Sequence, residues 1–415
     1  MPPTPRVLVS GAGIAGTVAS YWLGRLGVRS TVVEAASSMR TNGQTLDING
    51  VARDVVRKMG LMDEVLANCT KEEGAHVVDD SKRILARLPV GRGPTNDTEI
   101  LRYKLSTVFY NASKAKGEYR FGDSIAAIDE TPDGARVTFR SGLKETYDAV
   151  LLADGMHSRT RDLILSPSEV TYNSLNAYVA YFSLPLLSTD DTWSKLWWST
   201  DRRVLWLRPV PDPRTMLACF ITTSPRALAA FADYRSLDPA EQRQRWADLY
   251  RGAGWETERV LAGLEKADDF YMHEVAQVKL ASYSKGRVAV VGDAAYCPSP
   301  MSGMGTSCAI TGAYVLAGEL ASRLKDVDGG GASASAVKDA FAAYERICRP
   351  YVQNAAEGAP GPWIRRAMMP ESRLGVFALQ KVISAVGVVV NSRLLDGYNA
   401  SEREEDEKIE LPHYS

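Results

Sequence analysis

Three glycines near the start of the chain have the spacing of a phosphate-binding turn. In "RVLVSGAGIAGTVASYWLGRLGVRSTVVEA", Gly11, Gly13 and Gly16 fill the fixed positions of G-x-G-x-x-G, with Ile14 and Ala15 inside the array. Gly11 permits a tight turn, Gly13 lets backbone approach a pyrophosphate, and Gly16 lets a helix pack closely on a strand. The anion then meets a helix N-terminus, where unpaired N–H groups and the dipole favour negative charge. Glu34 stands 23 residues past Gly11, where a carboxylate accepts hydrogen bonds from ribose hydroxyls. By itself this acid does not separate FAD from NAD.

Two later aspartates carry the same grammar. "YDAVLLADGMHSRTRDLI" delivers Asp154-Gly155 after an apolar run, and "GRVAVVGDAAYCPSPMSGMGTSCAITG" delivers Gly292-Asp293. The second is followed by a pliant loop holding Pro300, Met301, Gly303, Met304 and Gly305. Either aspartate alone is more often an ordinary turn or helix cap than a ligand contact. Together they fit a doubly wound sheet, whose ligands lie in the crevice beyond the carboxyl ends of the strands.

The elements that must position these residues are short apolar strands alternating with helices. Val7 to Val9, the "STVV" before Glu34, Val150 to Leu152 and Val288 to Val291 read as parallel strands buried on both faces. A helical pattern runs from the glycine array to Leu26, and Gly27 ends it. Between residues 172 and 224, "NAYVAYFSLP", "KLWWST", "RRVLWLRPVP" and "RTMLACFITT" read as strands rich in aromatic and branched residues. Further on, "GGGASAS" (329–335) is a flexible break, and the helical spacing after it is expected to stop at Arg349, before Pro350.

Composition removes several classes. With 49 basic against 50 acidic residues the net charge is −1, which gives no support for nucleic acid as a partner. Five scattered cysteines (69, 219, 297, 308, 348) with no Cys-x-x-Cys pair suggest reduced thiols and a cytoplasmic setting. The four histidines lie far apart, with no ligand spacing for zinc. There is no Gly-x-Ser-x-Gly elbow and no Walker loop. The late apolar stretch 374–390 is split by Gln380 and Lys381 and falls short of roughly 20 apolar residues. A packed helix is expected there, with no integral membrane segment, and the charged "SEREEDEKIE" reads as a solvated end.

The three motifs together resemble the group A flavoprotein monooxygenases of the para-hydroxybenzoate hydroxylase superfamily, in order and spacing from about residue 6 to 325. In that family the first array binds the ADP part of FAD. Asp154, Gly155, Ser158 and Arg161 match the middle motif; Gly292, Asp293, Ala294, Ala295, Pro300, Gly303 and Gly305 match the last. Arg102 in "EILRYKLSTVF" matches the arginine that approaches the flavin from a helix start. The nearest functional relatives this implies are aromatic polyketide hydroxylases and tetracycline-inactivating monooxygenases. The chain departs from the family at Tyr296, often a histidine, and near Gly312, where an acid is common.

The resemblance implies an α/β protein: a Rossmann-like FAD-binding domain, an antiparallel β-sheet substrate domain and C-terminal helices. Its pieces would be 1–75, 101–165 and 276–345; then 76–100 and 166–275; then 346–415. It also implies that NAD(P)H reduces the flavin without a second nucleotide domain. The reduced flavin then forms a C4a-hydroperoxide with O₂, which hydroxylates an aromatic or polyketide-like small molecule. Water must be kept out, and the sheet would roof the flavin, with Tyr178, Phe182, Trp206, Met216 and Phe220 as candidate pocket residues. Arg40, and Gln44 and Asp47 of the adjoining region 42–60, are further candidates. Two other readings share parts of this pattern: a flavin-dependent halogenase, whose Trp-x-Trp-x-x-Pro is absent, and a redox-inactive FAD-binding sensor or chaperone.

Overall fold

The computed structural model describes residues 5–41, 43–298, 302–325, 333–357, 361–392 and 409–415. Pro300, Met301, the glycines of the 329–335 break and most of the acidic "SEREEDEKIE" lie outside them.

The apolar runs that precede the motifs meet in one six-stranded sheet. Arg6–Ser10 lies between Ala149–Leu152 and Arg29–Glu34, parallel to both, and Val288–Val290 extends the sheet beyond Ala149–Leu152. Glu118–Phe121 closes one edge in parallel, and the short Ser284–Lys285 closes the other in antiparallel sense. Val7, Leu8, Val9, Val150, Leu151 and Val290 are fully buried, which is why these runs are apolar without alternation. All three motif-bearing strands therefore end on the same side. Backbone bonds continue past the strands, from Gly11 to Val33 (2.7 Å), Ala153 to Ser10 (2.8 Å) and Val291 to Leu152 (2.9 Å).

Alternating aromatic strands form a second, eight-stranded sheet. Its centre is Tyr271–Leu280, Val170–Pro185, Thr215–Thr222, Arg203–Pro209 and Trp193–Ser199, all antiparallel neighbours. Gly74–Val78 and Tyr271–Leu280 straddle the domain boundaries expected at 75/76 and 275/276. Tyr296–Cys297 joins this sheet from within the stretch assigned to the first domain. One face packs on the helices Pro225–Ala230, Pro239–Tyr250 and Thr257–Lys266; Phe220 stacks on Tyr250 at 4.0 Å and on Trp246 at 5.7 Å.

Two helical expectations are corrected. The helix Ala334–Glu357 runs through Pro350, because Cys348, Tyr351, Val352 and Ala355 continue its buried face past the proline. The helix Arg373–Val390 forms but is not packed away: only 6% of it is buried. It rests on Ile84–Pro89, with Gly387 against Ala86, while Leu374, Phe377, Val382 and Val388 face outward. It is the one helix among the described residues long and apolar enough to cross a membrane.

Candidate active site

A single cavity of about 1060 Å³ connects the carboxyl ends of the first sheet to the free face of the second. At the first sheet its wall is Gly13, Ile14, Ala15, Ala153, Gly155 and Asp293, and on the loop and helix that follow, Ser302, Gly303, Gly305 and Thr306. Gly11, at φ +104°, has no room for a side chain, since a Cβ there would lie 2.6 Å from the Ala153 carbonyl oxygen. At Gly16 a Cβ would lie 1.9 Å from the Gly11 oxygen, so this glycine lets helix Ile14–Arg25 close on its strand. Gly13 differs from both. Nothing lies within 4 Å of its missing Cβ, and it borders the cavity.

The remaining motif residues divide into liners and builders. The Glu34 carboxylate accepts from the N–H of Ala12 (2.9 Å) and of Ala36 (3.0 Å), fixing the turn it follows. Asp154 is occupied internally, accepting from Ser158 (2.6 Å) and Thr160 (2.7 Å); burial pushes its carboxyl up and these bonds pull it down. Arg161 donates to the Ala294 carbonyl at 2.9 Å, so the middle motif clamps the turn of the last one. Gly292 sits at φ +66° against Ala15, and Met304 is buried, its carbonyl accepting from Cys308 in the first turn of helix Gly305–Lys325. Arg102 opens helix Arg102–Ser113 on the cavity wall, its N–H bonded to the Gln44 carbonyl at 2.9 Å. Burial raises the Asp293 carboxyl, and the nearby Arg102 guanidinium opposes that rise.

The two departures from the family pattern explain each other. The Tyr296 hydroxyl is buried against helix Gly305–Lys325, where a Cβ on Gly312 would meet it at 1.8 Å. The Tyr344 hydroxyl lies within hydrogen-bond reach of both the Tyr296 hydroxyl (2.9 Å) and the Val290 carbonyl (3.0 Å), and its single proton serves one of them at a time.

Four of the aromatic and sulfur candidates from the second sheet are corrected. Tyr178, Phe182, Met216 and Phe220 belong to the core against the helices, with Trp246 and Tyr250. The opposite parity lines the cavity: Ala177, Val179 and Tyr181, then Cys219, Ile221 and Thr223, and Val204, Trp206 and Arg208. Trp206 is therefore the one strand candidate on the cavity side. Strand alternation defines two faces, and both here are apolar, because one meets helices and the other a ligand chamber. The register also shifts between Ser174 and Ala177, where Asn176 adopts φ +52°.

Gln44 and Asp47 do line the cavity, beside a charged group that the sequence reading missed. Arg208 grips Glu72 through two 3.0 Å bonds, also contacts Glu99, and donates to Thr45 at 2.5 Å. The antiparallel pair Thr45–Leu46 with Ile100–Leu101, continued by one step, sets Asp47 opposite Glu99. Burial first, then the Glu99 charge, pushes the Asp47 carboxyl up to about 7. Burial lifts Glu72 to about 7 as well. Its twofold contact with Arg208 opposes that rise, and for Asp47 the Arg208 charge and a hydrogen bond from Asn96 do the same. A signal existed: Arg208 lies two residues from Trp206, hence on the same strand face.

A glycine cradle at the ends of parallel strands, opening into a chamber roofed by a second sheet, defines a dinucleotide-binding protein that encloses a further ligand. The chain belongs to the FAD binding domain family, whose profile matches residues 4–359. It is 32% identical over 404 residues to an FAD-dependent monooxygenase of Sarocladium schorii, covering 93% of each chain. It is 33% identical over 438 residues to a flavin-dependent monooxygenase of a Phoma species, covering 99% of this chain and 97% of the other. Among solved structures, tetracycline destructase Tet(51) superposes with a TM-score of 0.76 at 28% identity, over the full length of both. This is a flavin-dependent monooxygenase fold, and FAD is its cofactor.

The residues present fit FAD. The open space at Gly13 is a cradle that any side chain would fill, and the cavity exceeds the roughly 300–1,000 Å³ range of single small-molecule pockets.

Proposed function

We propose that this protein uses NAD(P)H and O₂ to oxygenate an aromatic or polyketide-like small molecule in the chamber between its two sheets. The observation that carries the reading is the continuity of the cavity from the glycine cradle to the strand face bearing Trp206 and Val204. Bound FAD supplies the redox and oxygen-transfer chemistry, and the protein supplies position, electrostatics and dryness.

Gly13 and the N–H groups that open helix Ile14–Arg25 hold the pyrophosphate, and Glu34 the adenosine ribose. Arg102 and Asp293, both on the cavity wall and close enough for their charges to interact, would hold the middle of the cofactor. Gly155 and Gly303, at φ +88° and +68°, present backbone where a side chain would intrude. The N-terminus of helix Gly305–Lys325 favours negative charge on the adjoining ring system. Val179, Ile221, Val204 and Trp198 keep water from the reacting face. Pro300 and Met301 belong to the same loop by sequence.

The test is NAD(P)H oxidation and O₂ uptake by the yellow holoenzyme with and without phenolic and polyketide ligands. Stimulation coupled to an oxygenated product is the expected result. A flavin-replete protein whose reductase activity no such ligand stimulates would refute the reading.

A further inference from the structure

The chamber wall is not uniform. One region is largely apolar, formed by Val179, Leu196, Trp198, Val204, Ile221 and Met369, with Arg202, Arg365 and Arg366 also on the cavity wall. The other is built from Gln44, Asp47, Asn96, Glu99, Trp206 and Arg208. At that polar end three acceptors lack a hydrogen-bond partner among the described residues: Gln44 Oε1, Asp47 Oδ1 and Glu99 Oε2. One donor, Trp206 Nε1, also lacks one. Glu99 is 3% exposed, so its unpaired oxygen is not compensated by bulk solvent. The formal charges are also unbalanced. Asp47, Glu72 and Glu99 face the single guanidinium of Arg208, which is committed to Glu72, Glu99 and Thr45 and lies 4.2 Å from the Trp206 ring centroid.

Unpaired buried acceptors cost free energy unless a ligand donates to them, and a surplus of carboxylates favours a cation over a neutral donor. From the excess of acceptors over donors at one end, and the apolar wall at the other, we infer that the substrate carries a protonated amine on an aromatic body. The ammonium group donates to Glu99 Oε2 and Asp47 Oδ1, while the rings lie against Val204, Ile221 and Trp198. A carboxylate in the same position would meet the Glu99 carboxylate and, as Asp47 ionises, a second like charge. This deepens the oxygenase reading and rests on the chamber being the substrate site.

The test uses the FAD-loaded protein and three probes sharing one ring: tryptamine, tryptophol and indole-3-acetate, titrated by calorimetry and by perturbation of the flavin spectrum. Tryptamine is expected to bind at least about tenfold more tightly than tryptophol, and indole-3-acetate least tightly. The preference should fall about tenfold in Glu99→Gln and in Asp47→Asn, each checked for full flavin content. Should Glu99→Gln fail to fold because it loosens Arg208, Asp47→Asn carries the comparison. The preference should also grow from pH 6 to 8 as Asp47 ionises against Glu99, Glu72, Arg208, Asn96 and the neighbouring Cys69, and flatten in Asp47→Asn. Equal binding of the three probes, no binding by any of them, or an unchanged preference in the variants would overturn the inference. Because binding is read without turnover, that failure is separate from a failure of ligand-stimulated NAD(P)H oxidation.

Discussion

Gly13 and Gly16 stand three residues apart and meet opposite surroundings, so the same kind of substitution separates two functions. Gly16→Ala drives a Cβ to 1.9 Å from the Gly11 oxygen and should cost about 1–3 kcal/mol of stability, read as a lowered thermal midpoint. Gly13→Val meets no protein atom of its own fold at the Cβ position. The variant should keep its circular dichroism and lose its yellow colour; full FAD occupancy would remove Gly13 from the cofactor site. Asp47 predicts a pH effect. Its carboxyl is raised to about 7, so between about pH 4 and 7 the folded protein binds more protons than the unfolded chain. Its contribution to stability is therefore present at low pH and lost as pH rises towards 7. The thermal midpoint of Asp47→Asn should depend less on pH across that window than that of the native protein. The glycines were legible because backbone approach and a fixed spacing constrain residue type, and Asp47 only through the resemblance of its segment to a family region. The partners of Asp47 were not, because Glu72, Glu99 and Arg208 converge from separate segments.

At the scale of elements, the parallel strands were readable because burial on both faces leaves an unbroken apolar run. The roof strands were readable as strands but not as faces. Phe220 and Trp206 show why: both are aromatic, yet one packs on Tyr250 and Trp246 and the other borders the chamber. Phe220→Ala should therefore destabilise the fold by about 3–5 kcal/mol in denaturant titrations. Trp206→Ala should instead weaken ligand binding to the holoenzyme, with a smaller loss of stability. The reverse pattern would exchange the two faces of the sheet. Pro350 was misread for a related reason: a local rule about helix ends yielded to a buried stripe that continues through Ala355.

Across the whole molecule, distant segments are joined at helix Gly305–Lys325. Tyr414 lies where a Cβ on Gly318 would be 2.1 Å from its ring and donates to Glu319 at 2.8 Å, while Tyr314 donates to the Pro412 carbonyl at 2.8 Å. Tyr414→Ala should cost about 1–3 kcal/mol, seen as a lower thermal midpoint with FAD bound. No motif announced this docking, since it depends on small residues spaced along a helix rather than on chemistry. The contact of Tyr296 with Gly312 bears on how such a sequence can change over time. A side chain at position 312 collides with the hydroxyl unless position 296 has already become smaller, so the two substitutions are tolerated in one order only. A smaller residue at 296 is thus the step that opens position 312 to a side chain, whereas a side chain at 312 beside the tyrosine is blocked.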